Sequence, residues 1–332
     1  MKNYLNYTLT CKYIYIASST MTTLDLNKLE SRTILLWGSG GGYDIYAGFF
    51  LYKMLSKKNK VHLGNYSFSD DLYKYGDNED QVIVEITGNE TLTSKNYYYF
   101  PEYYLAKALH ITIYTGRLYG PDKLIPNLDH LISKLAIDYI ILIDAGHDAL
   151  LFGDEGETRG TPFEDMSSIV SFLGTNNDIE KILCCISVPT ENIPMELFYK
   201  HLSEMESSNG FLGKYIPDTQ YVIEYESILN MTNENTRSIP NECLLASMKK
   251  YYGKHYRNPR LEKRMEIDDC SETDYPNVTF ETKVHWLFHL DILKNTSPLI
   301  SYLYANGQFL DNIGFNQLIN QYYHNQKNLI FN

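Results

Sequence analysis

Short apolar runs alternate with amphipathic stretches along most of this chain. Thr33–Trp37 is largely apolar and reads as a buried strand. From Tyr43 to Ser56, Ile45, Phe49, Leu51, Tyr52 and Leu55 make a helical stripe, which Lys57, Lys58 and Lys60 close with cations. Further strands are expected at Val61–Tyr66, Gln81–Thr87, Ile111–Thr115, Tyr139–Asp144 and Lys181–Val188. Helices are expected at Pro101–Leu109, Pro121–Leu135 and Pro194–Met205. Pro126 is expected to delay or kink the second of these. Another helix starts at Thr161-Pro162-Phe163-Glu164, where Thr161 is an N-cap, Pro162 suits the first turn and Glu164 completes a capping box. Ser67–Asp80 is polar and reads as a long loop.

Strands separated by helices predict an α/β fold with a mostly parallel sheet and crossovers on both faces. Residues 1–30 read as a lead-in with a strand at Tyr13–Ala17, and residues 31–208 as the core. The weakest seam is Ser207–Lys214. Residues 209–332 form an irregular C-terminal extension, packed on or completing the same domain. Within it Ile239–Lys250 looks helical, while Val278–Leu290 and Leu299–Leu303 are mixed.

Composition narrows the function classes. The 332 residues are 44% hydrophobic and 21% charged, enough for a sizeable core and too apolar for bulk disorder. Lys+Arg number 29 against 41 Asp+Glu, a net charge of -12, which disfavours nucleic acid and anionic membrane as generic partners. Lys249, Lys250, Lys254, Arg257, Arg260, Lys263 and Arg264 form a basic run, either an anion site or a solvated helix face. Tyr97–Tyr104 is the densest part of a tyrosine-rich composition, a stacking surface or a composition bias. Five cysteines (Cys11, Cys184, Cys185, Cys243, Cys270) match neither a zinc nor a disulfide pattern. No apolar run approaches the roughly 18 residues of a membrane span, and no signal-peptide core opens the chain. A cytoplasmic protein is expected, with a homo-oligomer left open.

The first candidate site is Gly38-Ser-Gly-Gly-Gly-Tyr-Asp44, a turn between strand and helix. Gly38, Gly40, Gly41 and Gly42 allow positive φ and close approach of backbone N–H groups to a ligand. No Gly-Lys-Ser/Thr follows, so it is not a phosphate-binding Walker loop. The third glycine of the dinucleotide fingerprint falls on Tyr43, and the second strand offers Asn65 rather than an acid. Asp44 then stabilises the helix dipole, or binds hydroxyls, an ammonium group or a metal.

The second is Asp144-Ala-Gly-His-Asp148, continuing to Asp154, Glu155 and Glu157. Parallel strands share one C-terminal edge, so Asp144 and Asp148 are expected to face the Gly38–Asp44 turn. Carboxylates so grouped suit a divalent cation, Mg²⁺ or Ca²⁺, held by Asp44, Asp144 and Asp148, or acid–base catalysis. A solvated acidic loop is the alternative. His147 is a further acid or base, and Arg159 a clamp for a carboxylate or phosphate or the partner of a nearby Glu. The His285/His289 pair has metalloprotease spacing, but Trp286 stands where such helices carry Glu.

These stretches resemble a known group, family 1152 of the domains of unknown function. The turn ending in Asp44 is similar to that family's Gly-Gly-Gly-Gly-Asp, and Leu63-Gly64-Asn65 to its second strand. Asp144-Ala-Gly-His-Asp148, Gly153-Asp-Glu155, Thr161-Pro162 and Asp165 are similar to its acidic segment. The similarity runs from Thr33 to Thr190; Ser39, Tyr43 and His147 depart from the pattern. The resemblance implies a Rossmann-like three-layer α/β/α architecture, implies no particular reaction, and marks Asp44, Asp144, Asp148 and Glu155 as positions to test.

The expected function is that of an enzyme acting on a nucleotide-, nucleoside- or sugar-like small molecule, by hydrolysis or group transfer. Gly38, Gly40, Gly41, Gly42, Asn65, His147 and Arg159 would bind it, and Asp44, Asp144, Asp148 and Glu155 would carry the chemistry. The alternatives are a non-catalytic ligand-sensing or protein-interaction module on the same fold and, behind it, an NAD-dependent oxidoreductase.

Overall fold

The computed structural model describes residues 24–330 except 70–71, 73, 76–80, 93–98, 157–161, 177, 191–192, 234–235, 255–258, 268, 270 and 272–274. The Tyr13–Ala17 strand, Cys11, Cys270, Arg159, Thr161 and Glu157 lie outside the described residues.

Eight strands form one mixed sheet in the order β3-β4-β2-β1-β5-β6-β8-β7. The parallel centre is β4 (Ile113–Gly116), β2 (Lys60–Tyr66), β1 (Thr33–Gly38), β5 (Tyr139–Asp144) and β6 (Glu180–Cys185). β3 (Ile83–Ile86) pairs antiparallel at one edge, and β8 (His285–His289) and β7 (Phe211–Tyr215) pair antiparallel at the other. The C-terminal part of the chain thus supplies two strands of the sheet.

The period of two along β1 explains the layers. Ile34 and Leu36 face a cluster with α1 (Asp44–Ala47), α2 (Phe49–Leu55), α3 (Pro101–Leu109), α7 (Val222–Met231) and α8 (Ile239–Met248). Leu35 and Trp37 face the opposite cluster with α4 (Pro121–Leu135), α5 (Pro162–Gly174), α6 (Met195–Ser207), α10 (Leu290–Thr296), α11 (Pro298–Gly307) and α12 (Asn312–Ile330). The result is a three-layer α/β fold, with Trp37 edge-on to Phe172 at 5.4 Å. α9 (Pro259–Ile267) packs outside these layers, through Leu261 and Met265 with Cys243 and Ala246 of α8. Among the described residues no helix is long and apolar enough to cross a membrane.

Three local expectations change. The first helix is interrupted at Gly48, where a Cβ would press on Ile143 Cγ1 at 3.1 Å. α4 begins at Pro121 and runs through Pro126; its buried Leu124, Leu128, Leu131 and Ile132 offset the roughly 3 kcal/mol an internal proline costs. β6 stops at Cys185, because Ser187 turns to φ 62° and a 3-10 turn follows at Val188–Thr190.

β1 sits between β2, reached through α1 and α2, and β5, whose chain leaves toward β6. Connections on these neighbours depart to opposite faces, the topological switch point where α/β sheets form their crevice at the C-terminal strand ends. The register sets Gly38 level with Asn65 on one side and Ile143 on the other.

Candidate functional site

The chain crosses that crevice at Ser39. Its N–H donates to Ile143 O at 2.8 Å, and its hydroxyl lies 3.0 Å from both Ile143 O and Asp165 Oδ1. The Ser168 hydroxyl donates to Ser39 O at 2.7 Å, tying the turn to α5. The glycines that follow do different jobs. A Cβ at Gly40 would fall 2.6 Å from both Asp44 Oδ2 and Asp165 Oδ2, so the space there is lined by carboxylates. Gly41 and Gly42 have φ of 84° and 58° and face the rings of Phe68 and Tyr99. Aromatic packing accounts for these two glycines, and the Gly40 N–H is already donated to Asp44 Oδ2 at 2.6 Å.

Three elements deliver the carboxylates. Asp44 opens α1, Asp144 ends β5 and Asp165 lies in the first turn of α5; one oxygen of each falls within 4.8 Å of the others. Asp144 and Asp165 are 1% and 2% exposed, whereas Asp44 is partly open, so access runs past Asp44. Backbone donors hold the group in place. Gly40 and Ala145 N–H serve Asp44, and Ala149 N–H donates to Asp144 Oδ2 at 3.0 Å. Asp44 thereby bridges the β1 and β5 loops.

Burial, then the charge of Asp148, pushes Asp44 up to about 8. The same causes, followed by Asp144 and Asp44, hold Asp165 well above the usual carboxylate range. Burial lifts Glu164 to about 7, with Asp148 adding to it. Asp148, itself buried at the start of a 3-10 turn, is therefore part of this field. Several carboxylates in one desolvated place cannot all be ionised. They must share protons or gain a cation.

Asn65 lies beneath the turn. Its Nδ2 donates to Gly42 O at 2.8 Å and to Glu102 Oε1 at 2.6 Å. Burial raises Glu102 to about 7. His147 is 1% exposed, with Nδ1 3.1 Å from Val188 O, and burial lowers it to about 4, so it is neutral at physiological pH. Glu155 stands away from the carboxylate group. Its Oε1 accepts from Phe152 N–H at 2.6 Å, and its Oε2 from Gly153 N–H at 2.9 Å and the Tyr323 hydroxyl at 3.0 Å. These contacts give it a loop-anchoring place.

His285 is buried against Lys283 O, and His289 meets Glu180 at 3.3 Å. In the basic run, Arg260 forks onto Glu242 and Lys249 meets Glu226. Sequence reasoning met Asp165 only within the family resemblance, without a role in the site, and missed Glu102. The signal for Asp165 was its first-turn position in α5, at the sheet edge where Asp144 ends.

A family model described as "Protein of unknown function (DUF1152)" matches residues 74–293 of the 332. The chain belongs to the DUF1152 family. The matched span holds Asp144, Asp148, Glu155 and Asp165 and continues past Thr190 through β8 into α10. It extends further toward the C-terminus than the Thr33–Thr190 similarity expected from motifs, and the Gly38–Asp44 turn precedes it. No curated protein and no solved structure matches this DUF1152 chain.

Proposed function

We propose that this DUF1152 protein is a small-molecule hydrolase or group transferase, working with a divalent cation at the β1/β5 crevice. The observation that carries this reading is the convergence of Asp44, Asp144 and Asp165 on one point, from three separate elements. An all-oxygen donor set suits a hard cation such as Mg²⁺ or Ca²⁺. The absence of a Cβ at Gly40 keeps the space between the carboxylates clear. When bound, such a cation orients a substrate oxygen and stabilises developing negative charge.

Asp144 and Asp165, deeply buried, hold the cation; Asp44, partly open, meets both cation and substrate. Asp148 and Glu164 exchange protons, and Glu164, near 7, has the range an acid–base group needs. A nucleotide, nucleoside or sugar is the substrate class, because hydroxyls and phosphate oxygens both bind such a centre. The net charge of -12 supports a small-molecule partner over nucleic acid or anionic membrane. We place the protein in the cytoplasm, consistent with the buried thiols of Cys184 and Cys243. A non-catalytic ligand sensor or interaction module is the second reading, favoured by the rings of Phe68 and Tyr99 against Gly41 and Gly42.

Thermal unfolding with Mg²⁺, Mn²⁺ or Ca²⁺, alone and with nucleotides or sugar phosphates, tests the proposal. A hundredfold excess over Kd stabilises by about 2.7 kcal/mol. Asp144→Asn and Asp165→Asn should abolish the cation response and turnover while the fold survives. Cation-independent behaviour in the wild type, or full turnover in both variants, overturns the enzyme reading.

A further inference from the structure

A second group of donors lies between α6, the loop after β5 and α12. His201 Nε2 is 2.8 Å from Asp154 Oδ1 and 3.7 Å from Glu155 Oε1. One ligand atom from each residue lies within 4.8 Å of the other two. We propose that His201, Asp154 and Glu155 form a site for one transition-metal ion of the Zn²⁺ class, independent of the carboxylate group at the crevice.

The spacing suits a metal. Ligands about 2.1 Å from a tetrahedral ion stand about 3.4 Å apart, and the two His201 distances bracket that separation. The imidazole distinguishes this group from the all-oxygen one, because nitrogen donors favour transition metals over Mg²⁺ or Ca²⁺.

The ligands are also held in advance. Phe152 stacks on the His201 ring at 4.3 Å with 11° between planes, fixing where Nε2 points. Glu155 is oriented by Phe152 N–H, Gly153 N–H and the Tyr323 hydroxyl, an outer shell of the kind that tunes metal ligands. Gly153, at φ 98° beneath Tyr322, lets the loop make that turn. His201 is 1% exposed, while Asp154 opens to solvent and supplies the entry side. The Lys200 ammonium rests on Asp154 and stands where a cation is wanted; its side chain is half exposed and swings away at little cost. An ion here would clamp the loop before α5 to α6, and through Tyr323 to α12.

The test uses the full chain, stripped by chelator and titrated with Co²⁺ under visible absorption, and with Zn²⁺ under thermal unfolding. One Co²⁺ with an imidazole-type ligand-field band is expected, together with a rise in Tm with Zn²⁺. His201→Gln should weaken Co²⁺ binding at least about tenfold, while Asp144→Asn and Asp165→Asn leave the band intact. If His201→Gln does not fold, Asp154→Asn, altered at a partly open carboxylate, should show the same loss. A band that survives removal of His201 or Asp154 overturns the proposal. So does a wild type with no band and no Zn²⁺ response, which leaves only a His201–Asp154 hydrogen bond.

Discussion

The Ser39 hydroxyl lies 3.0 Å from Oδ1 of Asp165, across 126 positions of sequence. Ser39 is fully buried, so its hydroxyl belongs to the carboxylate group. That contact holds Asp165 lower than burial alone would leave it.

Ser39→Gly should therefore raise Asp165 further. Cation binding requires deprotonated ligands, so the pH of half-maximal binding should move upward in this variant. Titrations of Mg²⁺ or Mn²⁺ at several pH values read this directly. An unmoved midpoint would show that Ser39 serves only the turn.

Asp44, raised to about 8, and Glu164 and Glu102, raised to about 7, set the pH response of the metal-free protein. Each keeps its proton in the folded state at pH values where the unfolded chain has lost it. Stability from these groups is full below the ordinary carboxylate pKa and falls as pH rises toward 7 to 8. Urea unfolding between pH 6.5 and pH 8.5 should show that decline, because buried His147 and His285, lowered to about 4, oppose it below their ordinary 6.5. A saturating divalent cation should flatten it, since it favours the ionised carboxylates.

Glu102 offers a sharper test away from the crevice. Above about pH 7 it becomes a buried carboxylate held by Asn65, whereas glutamine there stays neutral. Glu102→Gln should match wild type near pH 4, gain stability relative to it as pH rises from about 4.5 to about 7, and gain no more above that. A constant difference in Tm across this range would mean that Glu102 does not titrate there.

Gly42 and Gly156 share a positive φ, 58° and 63°, but not their surroundings. A Cβ at Gly42 would overlap the Tyr99 hydroxyl, while at Gly156 nothing lies within 4 Å. Gly156→Ala should cost only the backbone term, about 1–2 kcal/mol. Gly42→Ala should cost that plus a packing penalty of about 1–3 kcal/mol. Equal losses in chemical denaturation would show that Tyr99 gives way freely.

Much of the architecture was legible in local pattern. Runs such as Tyr139–Asp144 and stripes such as Leu124, Leu128 and Leu131 carry their periodicity within a few residues. The meeting of Asp44 and Asp144 was legible too, because neighbouring parallel strands align their C-terminal ends. β7 and β8 were not, since antiparallel partners distant along the chain leave no local mark on each other.

The same limit divides the acidic residues. Asp165 reads in sequence as an ordinary first-turn acid, and only the seating of α5 brings it to Ser39 and Asp44. Glu155 reads as one more carboxylate of the Asp144–Gly160 loop, yet its partner Tyr323 lies 168 positions away. Sequence alone determined the alternation of strands and helices and the edge on which the strand-end acids gather, because backbone periodicity and strand direction act locally. Only the tertiary structure decided which carboxylates share one low-dielectric space and which are tied off by backbone N–H groups. That choice depends on packing between segments with no contact along the chain.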